Sequence, residues 1–475
     1  MKILKTKLKA ILTSAALFFT FTVFPFPTPI QANSGNDTND TVFIEYFYPD
    51  KPVETVEVSR ESVYGNPNDP DPDTEDFEFA VTDLTPTVTQ TNESIIITIM
   101  GDGFTDTQQA DFVNEATSAR DQLLSLHPYS AFVEQIKIYA IQVVSEETLV
   151  GVERGKPVKN YFGTYIKTDG NTQYVSNYTQ ANNLVKSFFK SYELNADNRK
   201  LSIVLVNSTG IGVGSYGGFA VAPIRNRIVG DVAAHELGHS FANLRDERPG
   251  TRLFEEANKT QESDPDKIKW KPWIGVEGVG IFEVDPGWYC PHDDCKMKGS
   301  IYGPFCEVCA SQLVRLFTDN TKEVFHGYLK DNLSDVTNVS LESATRIVDY
   351  AFFGRDDLTG ITITDSVTSI GRYSFLRCNG LTNLIVPQTV TKIDDTAFFE
   401  CKNLKIYGRL GSQAAVYSIG NDIPFALYNV ADIRSLEELV MGIPVLHDTM
   451  GADLTRDGVV DAFDIVLAKR DFLNK

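Results

Sequence analysis

From Ser94 onward the chain alternates two apolar patterns. Unbroken apolar runs, Ile95 to Met100, Ile136 to Val144 and Leu201 to Val206, read as strands buried on both faces. Between them, apolar positions recur at helical spacing over Thr107 to Leu126 and Thr179 to Ser191. This alternation predicts a mixed sheet with helices packed on it. The first run ends in Gly101-Asp102-Gly103-Phe104. A Gly-rich stretch, 210–218, ends in Ser215-Tyr216-Gly217-Gly218 and runs into Phe219 to Ala222. It lacks the spacing and the lysine of a phosphate loop, and reads as a loop feeding an edge strand. Such an edge can pair with an extended peptide. Upstream, Val42-Phe43-Ile44 and Val53 to Val58 are β-like and precede an acidic, Pro-rich linker, Asn66 to Asp76.

The stretch Asp231 to Glu247 carries the chemistry. His235 and His239, four apart around Glu236, share one face of a helix, so both imidazoles can reach a single zinc ion. Glu236 then projects beside the ion, where its carboxylate can take a proton from water. A catalytic zinc keeps three protein ligands and one open position. Asp246 is the chosen third ligand; Glu247 is the next candidate and Glu256 the distant one. The competing reading of Asp246 and Glu247 is a solvated pair beside Arg245 and Arg248. Tyr289 is the candidate for stabilising the oxyanion, with a packed core aromatic as the alternative.

Composition narrows the setting. The 475 residues are enough for two to four domains. The formal charge is −21, and the first 32 residues hold four lysines and no acid, so their removal leaves −25. Such acidity argues against nucleic acid and anionic membranes as partners. Those 32 residues read as an export signal: Lys2, Lys5, Lys7 and Lys9, an apolar run to Phe24, and a cleavage site near Ala32. No later stretch is long enough to span a membrane. The mature chain is expected outside the cell, free or in a cell-surface assembly. Cys290, Cys295, Cys306 and Cys309 are spaced for a structural zinc or, in an oxidising compartment, two disulfides. His292 among them is not expected to be a ligand.

GDGFT at 101–105, SYGG at 215–218 and HELGHSFANLRDE at 235–247 together resemble the M64 peptidase family, named for an immunoglobulin A peptidase. The resemblance covers roughly residues 90–320 and implies a zinc endopeptidase with a metzincin-like domain. It does not imply that immunoglobulin A is the substrate. In metzincins the third ligand lies six residues after the second histidine, beyond a turn glycine. Here those positions are Arg245 and Ala242, so that pattern is broken. The cysteines with Met297 are similar to the arrangement in archaemetzincins, which implies a methionine beneath the metal and a second zinc.

Residues 347–415 repeat with a period of 23. Ile347, Ile370 and Ile393 correspond, as do Phe352, Phe375 and Phe398, and Leu358, Leu381 and Leu404. Such registry means stacked units around one apolar spine, capped by neighbours. Cys378 and Cys401 fall at equivalent rungs and read as small buried residues. ITITDSVTSIGRYSF and LIVPQTVTKIDDTAF resemble the BspA-type leucine-rich repeat, here a short spacer or ligand-binding shelf. Near the end, Asp453, Thr455, Asp457, Val459, Asp461 and Asp464 follow calcium-loop spacing, with Gly458 at the turn and a helix after. Residues 426–475 resemble a dockerin with one intact site. That implies a cohesin partner on a cellulosome-like assembly; Ala462-Phe463 departs from the usual recognition pair.

The expected organisation is α+β and multidomain: signal peptide 1–32; β-like segment and linker 33–90; metallopeptidase 91–325, metzincin-like with a mixed sheet and an active-site helix; leucine-rich repeat solenoid 326–425; all-α dockerin-like calcium module 426–475. The function read from it is a secreted zinc endopeptidase acting on protein or peptide. The alternative is an extracellular binding or scaffold protein with an inactive zinc domain.

Overall fold

Strands form where the apolar runs predict them, and the computed structural model shows what covers each face. It describes residues 41–48, 51–59, 77–148, 159–166, 173–174, 178–194, 199–208, 214–216, 219–224, 229–250, 255–298, 303–318, 338–341, 344–442 and 452–473. The expected export signal, the acidic linker and Gly217-Gly218 lie outside the described residues. The chain divides into two units, Met1–Lys259 with Asp294–Phe305, and Thr260–Asp293 with Cys306–Lys475.

In the first unit, β1 (Thr41–Tyr48) and β2 (Lys51–Ser59) form an antiparallel hairpin. The main sheet has six strands: β3 (Ala80–Asp83), β4 (Ile95–Asp102), β5 (Ile136–Gln142), β8 (Arg199–Val206), β9 (Gly214–Tyr216) and β10 (Phe219–Pro223). A short pair, β6 (Tyr165–Ile166) and β7 (Gln173–Tyr174), stands beside it. The spatial order is β3-β5-β4-β8-β10-β9; the four inner strands are parallel and both edges antiparallel. Helix α1 (Gln109–Ser125) and helix α2 (Tyr178–Ser191) fall within two residues of their predicted limits. Leu184 and Phe188 of α2 join Ile96, Met100, Tyr139, Val204, Phe219 and Val221 in one core cluster. The alternate residues Ile95, Ile97, Ile99, Ile203 and Leu205 are fully buried as well, so both faces are covered.

Helix α3 (Val229–Ala242) packs against α1 and β10. Small residues make this close approach possible. A Cβ at Gly230 would fall on the side chain of Gln122 in α1 and 2.7 Å from the backbone nitrogen of Leu123. The Gly230 N–H instead donates to Gln122 Oε1 at 3.0 Å.

The second unit contains a hairpin of β11 (Phe282–Asp285) and β12 (Trp288–Cys290), helix α4 (Glu307–Thr318) and the repeats. Three short parallel sheets run through the repeats. They are β13 (Asn338–Ser340) with β15 (Gly360–Thr362); β14 (Arg346–Ile347), β16 (Ser369–Ile370) and β18 (Lys392–Ile393); and β17 (Asn383–Ile385), β19 (Lys405–Gly408) and β20 (Phe425–Leu427). Phe352, Phe375 and Phe398 stack at 5.0 and 4.9 Å between ring centroids, tilted by 13° and 12°, which is the strand spacing read out in side chains. Tyr417 of α5 (Gln413–Gly420) closes that stack edge-on at 5.6 Å.

Residues 260–293, expected within the catalytic segment, pack with the repeats. Trp273 lies 4.7 Å from the Phe353 ring and 5.3 Å from the Tyr350 ring. Glu307 of α4 accepts hydrogen bonds from the Tyr350 hydroxyl at 2.5 Å and Arg372 Nη2 at 2.6 Å. Helices α6 (Val430–Val440) and α7 (Ala462–Leu473) are held to the last repeat by buried Asp432, paired with Arg409, and Asp471, paired with Lys405.

Candidate functional site

The four-residue spacing of His235 and His239 on α3 brings the two Nε2 atoms within 3.2 Å, with the rings edge to face. Each ring is oriented by its other nitrogen. His235 Nδ1 faces the Lys296 carbonyl at 2.9 Å, and His239 Nδ1 faces the Leu244 carbonyl at 2.7 Å. A carbonyl only accepts, so both Nδ1 atoms carry the proton and both Nε2 lone pairs point into the same space. Two lone pairs so close repel unless a cation lies between them.

The third group arrives after a sharp turn. Asn243 has φ 53°, a left-handed conformation that asparagine tolerates, and it does the work of the missing turn glycine. The Leu244 N–H then closes onto the Gly238 carbonyl at 3.0 Å. This delivers Asp246 Oδ1 to 3.5 Å from His235 Nε2 and 3.7 Å from His239 Nε2. Four ligands set tetrahedrally at about 2.0–2.1 Å from one zinc lie about 3.3–3.4 Å apart. The observed separations match that triangle, so the donor set fits the metal.

Of the carboxylates weighed, Asp246 is the one that reaches both rings. Glu247 is fully buried and turned to Asn258 Nδ2 at 2.8 Å. Glu256 is paired with Arg245 at 2.9 Å. Burial would raise the Asp246 carboxyl, but its contact with His235 and His239 outweighs that and holds it well below the usual carboxylate range. Burial acts to lower the pKa of His239, and Asp246 and Glu236 outweigh it, so it rises. Glu236 is almost wholly buried, its Oε1 3.9 Å from His235 Nε2.

Beneath the helix lies Met297. A Cβ at Gly238 would sit 2.9 Å from its sulfur, and its carbonyl accepts the Glu247 N–H at 2.8 Å. At the end of β4, fully buried Asp102 accepts the N–H groups of Gly103, Phe162 and Thr164 and the Thr164 hydroxyl. Burial raises its pKa, and those bonds offset only part of the rise.

Sequence reasoning missed three supports. Lys296 is fully buried; its ammonium meets Asp231 at 2.7 Å while its carbonyl orients His235. Asn258 clasps the Arg245 N–H and carbonyl at 2.9 and 2.8 Å. Asp231 opens the active helix and anchors it through Lys296. The contacts span 13 to 65 residues and leave no local signal.

Other expected site residues are placed differently. Tyr289 belongs to the second unit, its N–H and carbonyl paired with Thr260. The four cysteines are buried and no disulfide joins them. In the first unit, Cys295 and a Glu247 carboxylate oxygen lie within 4.8 Å. In the second, the Cys306 and Cys309 sulfurs do the same, and the Cys290 thiol donates to the His292 carbonyl at 3.4 Å. His292 Nε2 meets the Glu277 carbonyl at 3.0 Å.

The predicted calcium loop folds around its own backbone. Asp464 Oδ1 accepts the N–H groups of Leu454 and Thr455, and its Oδ2 that of Asp461. Asp453 accepts from Asp457 and Gly458, and Asp457 from Val459. These carboxylates are not brought together as a metal-ligating set.

With that geometry in view, the family model described as IgA Peptidase M64 matches residues 83–281, which include His235, Glu236, His239 and Asp246. Six copies of the BspA type Leucine rich repeat region match residues 326–432. No curated protein matches the chain. The first match suggests a peptidase, and hence a protein or peptide substrate. No helix among the described residues is long and apolar enough to cross a membrane.

Proposed function

We propose that the chain is a zinc-dependent endopeptidase. The observation that carries this is the triangle of His235 Nε2, His239 Nε2 and Asp246 Oδ1, at separations of 3.2, 3.5 and 3.7 Å. A zinc ion held there polarises the scissile carbonyl and makes water more acidic. The remaining steps belong to the protein. Glu236, adjacent to the triangle and screened from solvent, takes the proton of the attacking water and passes it to the departing amine. The carbonyls of Lys296 and Leu244 keep both imidazoles in the tautomer that presents Nε2. Among the described residues β9 ends the sheet, with the expected edge segment, 219–222, inside it as β10, and pairing of β9 with an extended substrate would align the scissile bond.

The same reading has the protein exported through residues 1–32, with a metzincin-like catalytic domain. A structural zinc held by Cys306 and Cys309 is part of it, supported by their burial and by the closeness of their sulfurs. Residues 426–475 act as a dockerin that binds a cohesin. Gly458, at φ 86°, makes the sharp loop turn that the spacing requires. Phe463, Val466 and Leu473 project from α7 at three- and seven-residue intervals, each more than three-fifths exposed, and offer an apolar docking face.

Casein hydrolysis by the full chain tests the enzymatic reading. Activity that disappears in Glu236→Gln at unchanged zinc content supports it. Zinc binding without hydrolysis in the wild type would favour the scaffold reading instead.

A further inference from the structure

Asp102 ends β4, an inner parallel strand, at the carboxyl end of the sheet, where open sheets of this kind carry their ligands. Its wholly buried carboxylate is turned to a loop. Oδ1 accepts the N–H groups of Gly103 and Phe162 at 3.1 and 3.0 Å; Oδ2 accepts the Thr164 N–H at 3.0 Å and the Thr164 hydroxyl. Ser145, just beyond β5, accepts the N–H groups of Gly103 and Tyr161 at 3.0 Å each, and so ties the same loop to the neighbouring strand. Thr164 leads directly into Tyr165 of β6, Tyr165 pairs with Tyr174 of β7, and β7 comes close to β9 and β10. A short path therefore runs from the Asp102 carboxylate to the flank of the strand that ends the sheet.

We propose that Asp102 is a positioning residue for substrate: it fixes the hairpin β6–β7 beside β9, where the hairpin forms a wall of the channel that an extended peptide enters. The proposal rests on the zinc-peptidase reading above, and on β9 as the strand that pairs with the peptide. Apolar packing already anchors the loop, since Phe162 is fully buried in the core cluster with Tyr139, Phe188 and Val206. A buried carboxylate is a costly addition to that anchor, and what it adds is direction. Phe162 can sit in the core with the chain leaving it at several angles. Three N–H groups and a hydroxyl aimed at two fixed oxygens leave one. The angle set at Thr164 passes to Tyr165 and, through pairing, to Tyr174. A peptide on β9 gains from a wall that is in place before it arrives, because ordering a loose hairpin on binding lowers affinity. The contribution is to binding; the metal triangle stands on α3 and the turn after it, and does not depend on this loop.

The test uses the full-length protein and internally quenched peptides of one sequence in two lengths, the short one covering only the residues next to the cleaved bond. In Asp102→Asn the new amide nitrogen turns a donor toward the loop's own N–H groups. Expected is a KM for the long peptide raised about tenfold, with kcat within about threefold of the wild type. The short peptide's KM and the affinity for zinc stay close to wild type. Thr164→Val repeats the pattern more weakly, and Thr164→Ser, which keeps the hydroxyl, keeps the wild-type KM. An unchanged KM for the long peptide overturns the proposal, as does an equal rise for both peptides. Losses of kcat and zinc affinity as large as the rise in KM overturn it too, because Asp102 then only holds the fold. Hydrogen exchange in Glu236→Gln gives a readout without turnover, and it decides if the Asp102 and Thr164 variants do not fold. The long peptide slows exchange at 159–166 and 173–174 more than the short one does; no difference between them overturns the proposal. If the wild type cleaves neither peptide, the peptidase reading fails, and exchange alone decides on the hairpin.

Discussion

Lys296 reaches His235 in two ways at once. Its carbonyl faces His235 Nδ1 at 2.9 Å, and its buried ammonium holds Asp231, one turn earlier on the same helix, at 2.7 Å. Replacing Lys296 with Met keeps the carbonyl and deletes the ion pair. The Asp231 carboxylate, only one-fifth exposed, loses its cation, and breaking a buried pair in this way costs about 3 kcal/mol. Lys296→Met should lower the unfolding free energy obtained from denaturant titration by that amount. Pairing it with Asp231→Asn should recover much of the loss, since no lone charge is then left. A double mutant no more stable than Lys296→Met alone would show that the pair does not anchor the helix.

The order of the three carboxylates can be read from zinc affinity. If zinc sits in the triangle, Asp246→Asn removes one of its ligands and should cost more than the 10–100-fold typical of changes to residues that only orient a ligand. Glu256→Gln leaves all three ligand atoms in place, because Glu256 is turned to Arg245. It should bind zinc within a few-fold of the wild type. Competition against a chromophoric chelator measures both. Equal losses in the two variants would mean that the site is assembled differently.

Much of this centre was legible before any coordinates, and the reason is geometric. Helical periodicity alone puts His235 and His239 on one face, whereas a count of six residues from His239 falls on Arg245, and Asp246 stands out through the family-like Asp246-Glu247 pair. The turn between them was harder to foresee. The expected glycine is absent, and Asn243 adopts the left-handed conformation in its place. What stayed invisible were partners far apart in sequence. Nothing in the local pattern marks Lys296 as the residue beneath His235, or Asn258 as the clasp on Arg245. The packing of Trp273 against Tyr350 and Phe353 was equally hidden, because aromatic contacts between separate segments carry no period. The repeats were the opposite case: a 23-residue registry predicted the phenylalanine stack outright. In the acidic loop at 453–464 the spacing was plain, yet the N–H groups that Asp464 satisfies depend on the loop conformation.

Gly238 faces Met297 closely enough to be tested by one methyl group. A Cβ there would stand 2.9 Å from the Met297 sulfur and 3.4 Å from the Phe305 ring. Overpacking of this kind costs about 1–3 kcal/mol. Because Gly238 immediately precedes His239, the strain falls on the metal site as well. Gly238→Ala should lower both thermal stability and zinc affinity. Shortening the opposing side chain in Gly238→Ala/Met297→Leu should restore part of each. No change in either quantity would mean that the methionine gives way freely.

In the second unit, pH acts through Asp349. Burial pushes its carboxyl from the ordinary 3.8 up to about 6; the Arg372 N–H, 2.8 Å away, opposes the rise and nearby Asp394 adds to it. The folded chain therefore holds this proton more tightly than the unfolded chain does. The stabilisation is complete below about pH 3.8 and is lost as the pH rises through about 6. Two pKa units correspond to at most about 3 kcal/mol. Asp349→Asn keeps an oxygen to accept from Arg372 and has no charge to bury. It should stabilise the protein at pH 7.5, by up to that amount, and make little difference at pH 4. Denaturant unfolding of both proteins at the two pH values, followed by the fluorescence of Trp273 and its neighbours, measures the gap. A gap that does not widen between pH 4 and pH 7.5 would show that Asp349 ionises in the folded repeat as easily as in the unfolded chain.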